Sequence, residues 1–333
     1  CRFSGDGSTL EFATYLGGTN GEICRDVIVA DDGRVTLIGW TGADDYPTTP
    51  GVLATSPPGG FGDTNGVVSR LSPDGSSLVF STYFGGSGHD ALLGGCIAPD
   101  NSMFIGGETM SLDLPGLPQS GGSLGFEPGD AFVSRLLPDA SGVAFTTIIG
   151  GSMEEWIRTV ALLSDGRVVS AGNTLSPDFP YTPGAFETTT KSCFVATFDG
   201  ETGALLASTA LGGAGSEQIL DLAIDPFDRI VVGGSTLSED FPVTSDAYQT
   251  QLASSVGDCF LSCFDPSLST LLHSTYFGGV QSEDIRSLHV ASSGLVTVGG
   301  WTRSTLPVTP GAFDTSFNGP SGAYDAYVAR FDR

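Results

Sequence analysis

A pair of glycines that follows an aromatic or apolar dipeptide returns five times along the 333-residue chain, at intervals of 62 to 68 residues. The five pairs are Gly17-Gly18, Gly85-Gly86, Gly150-Gly151, Gly212-Gly213 and Gly278-Gly279. A unit repeated five times restricts the chain to repeat architectures, in which each unit buries its apolar face against its neighbours.

Each repeat contains four short runs of β-branched and aromatic residues, separated by Gly, Pro and Asp. Such runs are typical of strands, and no stretch keeps the 3.6-residue apolar period of a long amphipathic helix. Four short strands per repeat are typical of a propeller blade. The sequence therefore predicts an all-β, five-bladed β-propeller with four antiparallel strands per blade. We interpret residues 1–333 as one domain, with blades at roughly 19–86, 87–151, 152–213, 214–279 and 280–333 plus 1–18.

The two ends of the chain are complementary parts of one repeat. The first residues align with the part of a repeat that contains the end of its third strand and its fourth strand. The last residues, Tyr327 to Phe331, align with the third strand of a repeat. We therefore expect the strand around residues 9–16 to pair with the C-terminal blade and close the ring, which would leave no unpaired edge.

An acidic residue stands four positions after the second glycine in every repeat: Glu22, Asp90, Glu155, Glu217 and Glu283. By likeness to other four-stranded blades, the strand that follows should be innermost, so these carboxylates should surround one mouth of the central channel. Convergent oxygens suit a hard cation such as Ca²⁺, and the five residues are candidates for a cation or ligand ring. The alternative is structural: each carboxylate accepts backbone N–H bonds at the Gly-Gly crossover or pairs with an arginine.

The loops between second and third strands differ in length, and variable loops on a rigid scaffold often carry recognition. They contain aromatic residues that are candidates for partner contact: Phe61, Phe126, Tyr248, Phe317 and Tyr324. The alternative is that these side chains fill the wedge between blades. Asp45, Asp113, Asp178 and Asp240 precede an aromatic-Pro or Leu-Pro step, where an aspartate most simply forms a turn.

The charge balance excludes several kinds of partner. The chain has 13 basic and 38 acidic residues, a net charge of −25. Nucleic acids and anionic membrane surfaces require a basic patch, so neither is expected as a partner. No apolar run reaches the length of a membrane span. The sequence contains few catalytic motifs. We expect no cofactor, and the alternative is Ca²⁺ bound at the ring of repeated acids.

The six cysteines form no C-x-x-C pair and no zinc-ligand spacing, so we interpret them as free thiols. Cys1 has two interpretations, the lipidated first residue of a mature bacterial lipoprotein or simply the point at which the chain begins.

Three segments carry a resemblance to a known repeat. They are LVFSTYFGG at 78–86, DFPYTPGAF at 178–186 and DAYVARF at 325–331. Together they resemble the bacterial β-propeller repeats called SBBP repeats, and the resemblance covers essentially the whole chain. It implies a propeller and an extracytoplasmic protein of bacteria, secreted or at the cell surface, often as a module of a larger chain. The family name implies seven blades, whereas this chain has five repeats.

Function is less constrained than fold, because one fold serves many activities. Our first hypothesis is a non-enzymatic scaffold that binds protein or glycan at the bacterial surface through the face carrying the long loops. The alternatives are an enzyme acting on polysaccharide with carboxylates at the channel mouth as acid and base, and a structural subunit of a larger surface assembly. His89 beside Asp90 is the one asymmetric polar pair near the channel.

Overall fold

The computed structural model describes residues 1–60, 62–117, 129–320 and 322–332. The regular secondary structure of these residues consists of strands alone, and 21 strands follow one another along the chain. None of the described elements is a helix long and apolar enough to cross a membrane. Five antiparallel sheets, one from each repeat, confirm the all-β, five-bladed β-propeller fold.

The described chain divides into two compact units. The first unit comprises residues Cys1–Val160 and Gly200–Gly203, and the second comprises Ala161–Asp199 and Ala204–Arg333. The boundary between them falls within the third blade, inside its first strand.

The first unit begins with a hairpin and contains the first two blades. The hairpin is β1 (Arg2–Phe3) and β2 (Leu10–Phe12). The first blade is β3 (Glu22–Val29), β4 (Val35–Thr41), β5 (Asn65–Leu71) and β6 (Leu78–Phe84). The second is β7 (Asp90–Ile97), β8 (Met103–Thr109), β9 (Asp130–Leu136) and β10 (Val143–Ile149). In both blades each strand pairs with the next along the chain.

The third blade has the strand order β11 (Glu155–Leu162), β12 (Val168–Thr174), β13 (Cys193–Phe198) and β14 (Leu205–Leu211). The fourth, in the second unit, is β15 (Glu217–Ile224), β16 (Ile230–Thr236), β17 (Asp258–Phe264) and β18 (Leu271–Phe277). The last blade is β19 (Glu283–Val290), β20 (Val296–Thr302) and β21 (Asp325–Phe331).

The observed strand pairs contradict the predicted pairing of residues 9–16 with the C-terminal blade. Among the described residues, β2 pairs with β1, and β21 is the outer strand of a three-stranded sheet. The hairpin has the same register as the ends of β5 and β6. Strand β1 therefore pairs with β2 in the register in which the end of β21 was expected to pair with it.

Each unit has its own apolar core between neighbouring sheets. In the first unit Ile38, Leu92 and Ile105 pack with the stacked rings of Phe84 and Phe132, whose centroids lie 5.5 Å apart. In the second unit one cluster lies around Phe260 and Phe264, and another lies around Ile285 and Val298. Alternating apolar residues on paired strands produce these cores, as expected for stacked sheets.

A β-bulge interrupts the first strand of four blades, three residues after the repeated acid. A glycine on the second strand lies against the bulge at Gly39, Gly107, Gly234 and Gly300, where a Cβ atom would collide with a backbone carbonyl of the first strand. The bulge turns Arg25 and Leu93 out of the regular alternation. These second-strand glycines therefore serve close backbone approach rather than flexibility.

Candidate functional site

The repeated acids lie at the first residue of each blade's first strand, and four of the five are buried. In four blades a carboxylate oxygen accepts the N–H of the second anchor glycine, four positions earlier: Gly18 to Glu22 at 2.9 Å, Gly86 to Asp90 at 2.7 Å, Gly151 to Glu155 at 3.0 Å and Gly279 to Glu283 at 2.9 Å. Each bond joins the Gly-Gly crossover to the strand that it introduces.

Hydroxyl groups at the end of the second strand engage the same carboxylates. Thr41 donates to Glu22 at 3.0 Å, and Thr236 and Thr302 donate to Glu217 and Glu283 at 2.9 Å. A serine two residues later adds a further bond in three blades, from Ser111, Ser238 and Ser304. These bonds fit the structural alternative for the acids, because their oxygens are occupied by donors from the Gly-Gly crossover and from residues at the end of the second strand.

A second set of carboxylates explains why the anchor needs two glycines. Asp45 accepts the backbone N–H of Thr19 at 2.7 Å, and Asp113 accepts that of Ser87 at the same distance. A Cβ on the first glycine would press on the repeated acid, and a Cβ on the second would collide with these aspartates. The aspartate before the proline step thus holds the residue after the Gly-Gly pair.

The described residues contain no group of three or more His, Cys, Asp or Glu side chains placed to hold a metal ion. The Ca²⁺ ring therefore stays a prediction. Burial raises the pKa of Asp90 and of Glu283, although several hydrogen bonds oppose the shift. Raised pKa values favour the neutral form of a carboxyl group, which is a poorer cation ligand.

The predicted partner-contact aromatics differ in position. Phe61 and Phe126 lie outside the described residues. Tyr248 is 60% exposed, with its ring 6.3 Å from that of Phe331. Phe317 is half-buried, and Tyr324, 53% exposed, packs edge-on against Trp301 at 4.8 Å.

A cavity of about 520 Å³ lies in the first unit, where the ends of β3, β4, β7, β8 and β11 meet. Its lining includes Trp40, Arg25, His89, Glu108 and Glu154. Apolar walls come from Ala91, Leu93 and Met110. The cavity lies within the usual size range of small-ligand sites and combines apolar walls with a few polar groups.

The charges of this cavity interact. The pKa of Glu108 is raised, and desolvation is the largest cause. The charge of Glu154 adds to the rise, whereas the charges of Arg158 and Arg25 oppose it. The side chain of Glu108 nevertheless remains accessible to solvent through the cavity. A carboxyl group that lies between a second carboxylate and two guanidinium groups can accept a hydrogen bond from a bound hydroxyl or donate one to it.

His89 lies at the rim of the cavity with both ring nitrogens engaged. Nδ1 accepts the backbone N–H of Thr64 at 3.0 Å, and Nε2 lies 3.3 Å from a carboxylate oxygen of Asp63. The predicted His89–Asp90 pair thus lines the cavity, but Asp90 points into the crossover hydrogen bonds and His89 fixes the loop before β5.

Sequence reasoning missed Trp40, Glu108 and Glu154. Trp40 and Glu108 occupy the position before the threonine that closes the second strand, and Glu154 occupies the position before the repeated acid. The other blades have Asn173, Ser235 and Trp301 at the first position and Gly21, His89, Ser216 and Ser282 at the second. Comparing the repeats for positions that vary, rather than for positions that recur, would have found these residues.

No family model matches the chain. A 129-residue segment, 39% of the chain, is 28% identical to the regulatory protein FlaEY of Caulobacter vibrioides and spans 13% of that protein's length. Among solved structures, the mannose phosphorylase MPT-4 of Leishmania mexicana is 12% identical with a TM-score of 0.39, covering 86% of this chain and 81% of that one. BamB of Moraxella catarrhalis is 10% identical with a TM-score of 0.28, covering 85% and 75%. These likenesses are too distant to bring an activity to this chain.

Proposed function

We propose that this chain is a non-enzymatic binding module that recognises an uncharged or amino-sugar glycan in the cavity of the first unit. The observation that carries the proposal is the break in the repeat pattern at this cavity. The repeated acids recur in all five blades and accept hydrogen bonds from the crossover or from the end of the second strand, whereas Trp40, Glu108 and Glu154 occupy positions where the blades differ. A site for one ligand requires such a difference, because a residue common to every blade serves the blade.

The chemistry of the lining suits a sugar ring. The aromatic face of Trp40 can pack against the apolar C–H face of a pyranose. The carboxylates of Glu108 and Glu154 and the guanidinium of Arg25 can hydrogen-bond to its hydroxyl groups. A net charge of −25 disfavours an anionic polysaccharide, so we propose an uncharged or amino sugar.

The proposed location is extracytoplasmic, at the bacterial surface, where such glycans occur. The resemblance to SBBP repeats supports this location. Protein partners at Tyr248 and Tyr324 would add contacts to the module, since both rings are more than half exposed.

A second candidate is an enzyme acting on polysaccharide. The raised pKa of Glu108 beside the charge of Glu154 favours it, because glycoside hydrolysis pairs a protonated carboxyl group with an ionised one. The two functions differ in their product: a binding module returns the glycan intact.

The test is calorimetric titration with a panel of neutral and amino oligosaccharides, with product analysis of each mixture. We expect saturable binding that Trp40→Ala weakens at least tenfold and that Trp301→Ala, at the same repeat position of the last blade, leaves unchanged. Shortened products that disappear in Glu108→Gln would establish the enzyme instead. Absence of binding to every member of the panel would overturn the proposal.

A further inference from the structure

Four of the repeated acids have a partner position at the start of the third strand of the preceding blade, 25 residues earlier in the chain. This position holds Asn65, Asp130, Ser192 and Asp258. Ser192 links the third and fourth blades directly, because its hydroxyl donates to the Glu217 carboxylate at 2.7 Å and accepts the Glu217 N–H at 2.9 Å. The partner position therefore faces the repeated acid of the next blade.

In the fourth blade the partner position holds a second carboxylate, that of Asp258. Its Oδ2 accepts the side-chain amide of Gln249 and the N–H of Ala253, both at 2.7 Å. Its buried Oδ1 has no hydrogen-bond partner among the described residues. This Oδ1 and the Oε2 of Glu283 each lie 2.8 Å from the point that a Cβ atom of Gly278 would occupy. Two carboxylates that are 0% and 1% exposed therefore meet at one glycine.

Hydrogen bonds decide which of the two carboxyl groups carries a proton. The oxygens of Glu283 accept three hydrogen bonds at 2.9 Å, which favour its ionised form. The donors are the Gly279 N–H and the hydroxyls of Thr302 and Ser304. The Oδ1 of Asp258 has only the neighbouring carboxylate to bond to, and it can do so only as an O–H donor. A proton at this site therefore belongs on Asp258.

The surroundings of the pair supply no compensating charge. Neither Asp258 nor Glu283 forms a salt bridge with a basic side chain in the part of the chain that the structure describes, and burial raises the pKa of both. The titratable groups that interact with the pair from neighbouring strands are Cys259, Tyr276 and Tyr327. Burial raises the pKa of each of these three groups, so all are neutral in acid and neutral solution. Asp284, the residue after Glu283, pairs with Arg286 at 3.0 Å.

We propose that Asp258 and Glu283 share one proton, which links the fourth blade to the last blade and makes this link a pH-sensitive switch. With the proton, Asp258 donates to Glu283 as Ser192 donates to Glu217. Without it, two buried carboxylates repel each other and the link is lost. The folded state keeps a proton that the unfolded chain has already released, so the link stabilises the protein in mildly acid solution. Its contribution is lost as the pH rises through the raised pKa of Asp258.

The test uses an Asp130→Asn background, because Asp130 and Glu155 meet at Gly150 in the same way and would add a second proton. Infrared spectra at pH 6 should contain the carbonyl band of a protonated carboxyl group, and Asp258→Asn should remove it. Asp139→Asn is the matched control, since the Ser141 hydroxyl lowers the pKa of this exposed aspartate, and it should leave the band unchanged. Identical spectra for Asp258→Asn and its background would overturn the proposal.

Chemical denaturation between pH 4 and pH 8 provides a second readout in the same background. One shared proton should lower the folding equilibrium constant by up to about tenfold per pH unit between the unfolded and folded pKa values of Asp258. Asp258→Asn should remove this decrease, because its amide donates to Glu283 at every pH. Ser192→Asp, which places a carboxylate beside Glu217, should add a decrease of similar size. Parallel pH profiles for the background and either variant would contradict the shared proton.

Discussion

Asp130, the first residue of β9, and Glu155, the first of β11, place their carboxylates together against the backbone of Gly150, where a side chain would collide with Asp130. Desolvation, followed by the negative charge of Glu155, raises the pKa of Asp130 to about 6. Two carboxylates that belong to successive repeats therefore share one buried site in the first unit.

The first prediction is that Asp130→Asn stabilises the protein at neutral pH. Between the ordinary aspartate pKa of 3.8 and the raised value of about 6, the folded state binds a proton that the unfolded state has lost, so stability falls as pH rises through this window. The amide removes that penalty, with an expected gain of about 1–3 kcal/mol at pH 7. Chemical denaturation at pH 4, 5, 6 and 7 should show the gain grow with pH.

Asp325→Asn is the matched control, since Asp325 is the first residue of the third strand in the last blade. It should change stability little. A gain for Asp130→Asn that is equal at pH 4 and pH 7 would contradict the charge-repulsion account.

The second prediction concerns the glycine that lies against the β-bulge. Gly107→Ala would bring a Cβ atom into the carbonyl oxygen of Ala91, so we expect a loss of about 3 kcal/mol or more in the free energy of unfolding. Gly142→Ala is the control, because the added Cβ would meet only ordinary contact, 3.4 Å from Leu137. Equal denaturation midpoints for the two variants would count against the bulge as the reason for this glycine.

The third prediction concerns the buried tyrosine of the anchor. The Tyr276 hydroxyl donates to the Ser238 carbonyl at 2.7 Å and accepts the Phe241 N–H at 3.1 Å. Tyr276→Phe leaves both backbone groups without this partner and should cost about 2 kcal/mol. Tyr15→Phe, at the same repeat position but fully exposed, should cost nothing measurable in thermal unfolding. A Tyr276→Phe variant that unfolds at the same temperature as the wild-type protein would refute the role assigned to this hydroxyl group.

The fourth prediction separates the two interpretations of the repeated acids. Glu217→Ala removes the acceptor of the Thr236, Ser238 and Ser192 hydroxyls and should cost about 2–4 kcal/mol, with a smaller loss for Glu217→Gln. If hydrogen bonding is their role, neither saturating calcium nor a chelator should move the melting temperature of the wild-type protein. A calcium-dependent rise would restore the cation ring.

The fold followed from the sequence because each blade repeats the same local rules. Glycines, prolines and alternating apolar residues recur at fixed positions, and they set the strands before any contact between repeats is considered. The pairing of β2 was mispredicted because its partner strand consists of only two residues, Arg2 and Phe3, too few to carry a strand pattern of their own.

The cavity was harder to predict because its residues come from positions that carry no repeat. Trp40, Glu108 and Glu154 are far apart along the chain, and only the stacking of strands brings them together. The hydroxyl partners of the acids were missed for the same reason. Thr236 and Ser238 were visible as residues near a strand end, but their direction toward Glu217 depends on the pairing of β15 with β16.

The most direct test of the glycan site uses the fluorescence of single tryptophans. The chain has three, Trp40, Trp156 and Trp301, so two substitutions to phenylalanine isolate each one. With an oligosaccharide that the wild-type protein binds, emission from the variant retaining Trp40 should change saturably, at the affinity found by calorimetry. Emission from the variant retaining Trp301 should stay constant. Saturable binding that leaves the emission of Trp40 unchanged would contradict the site.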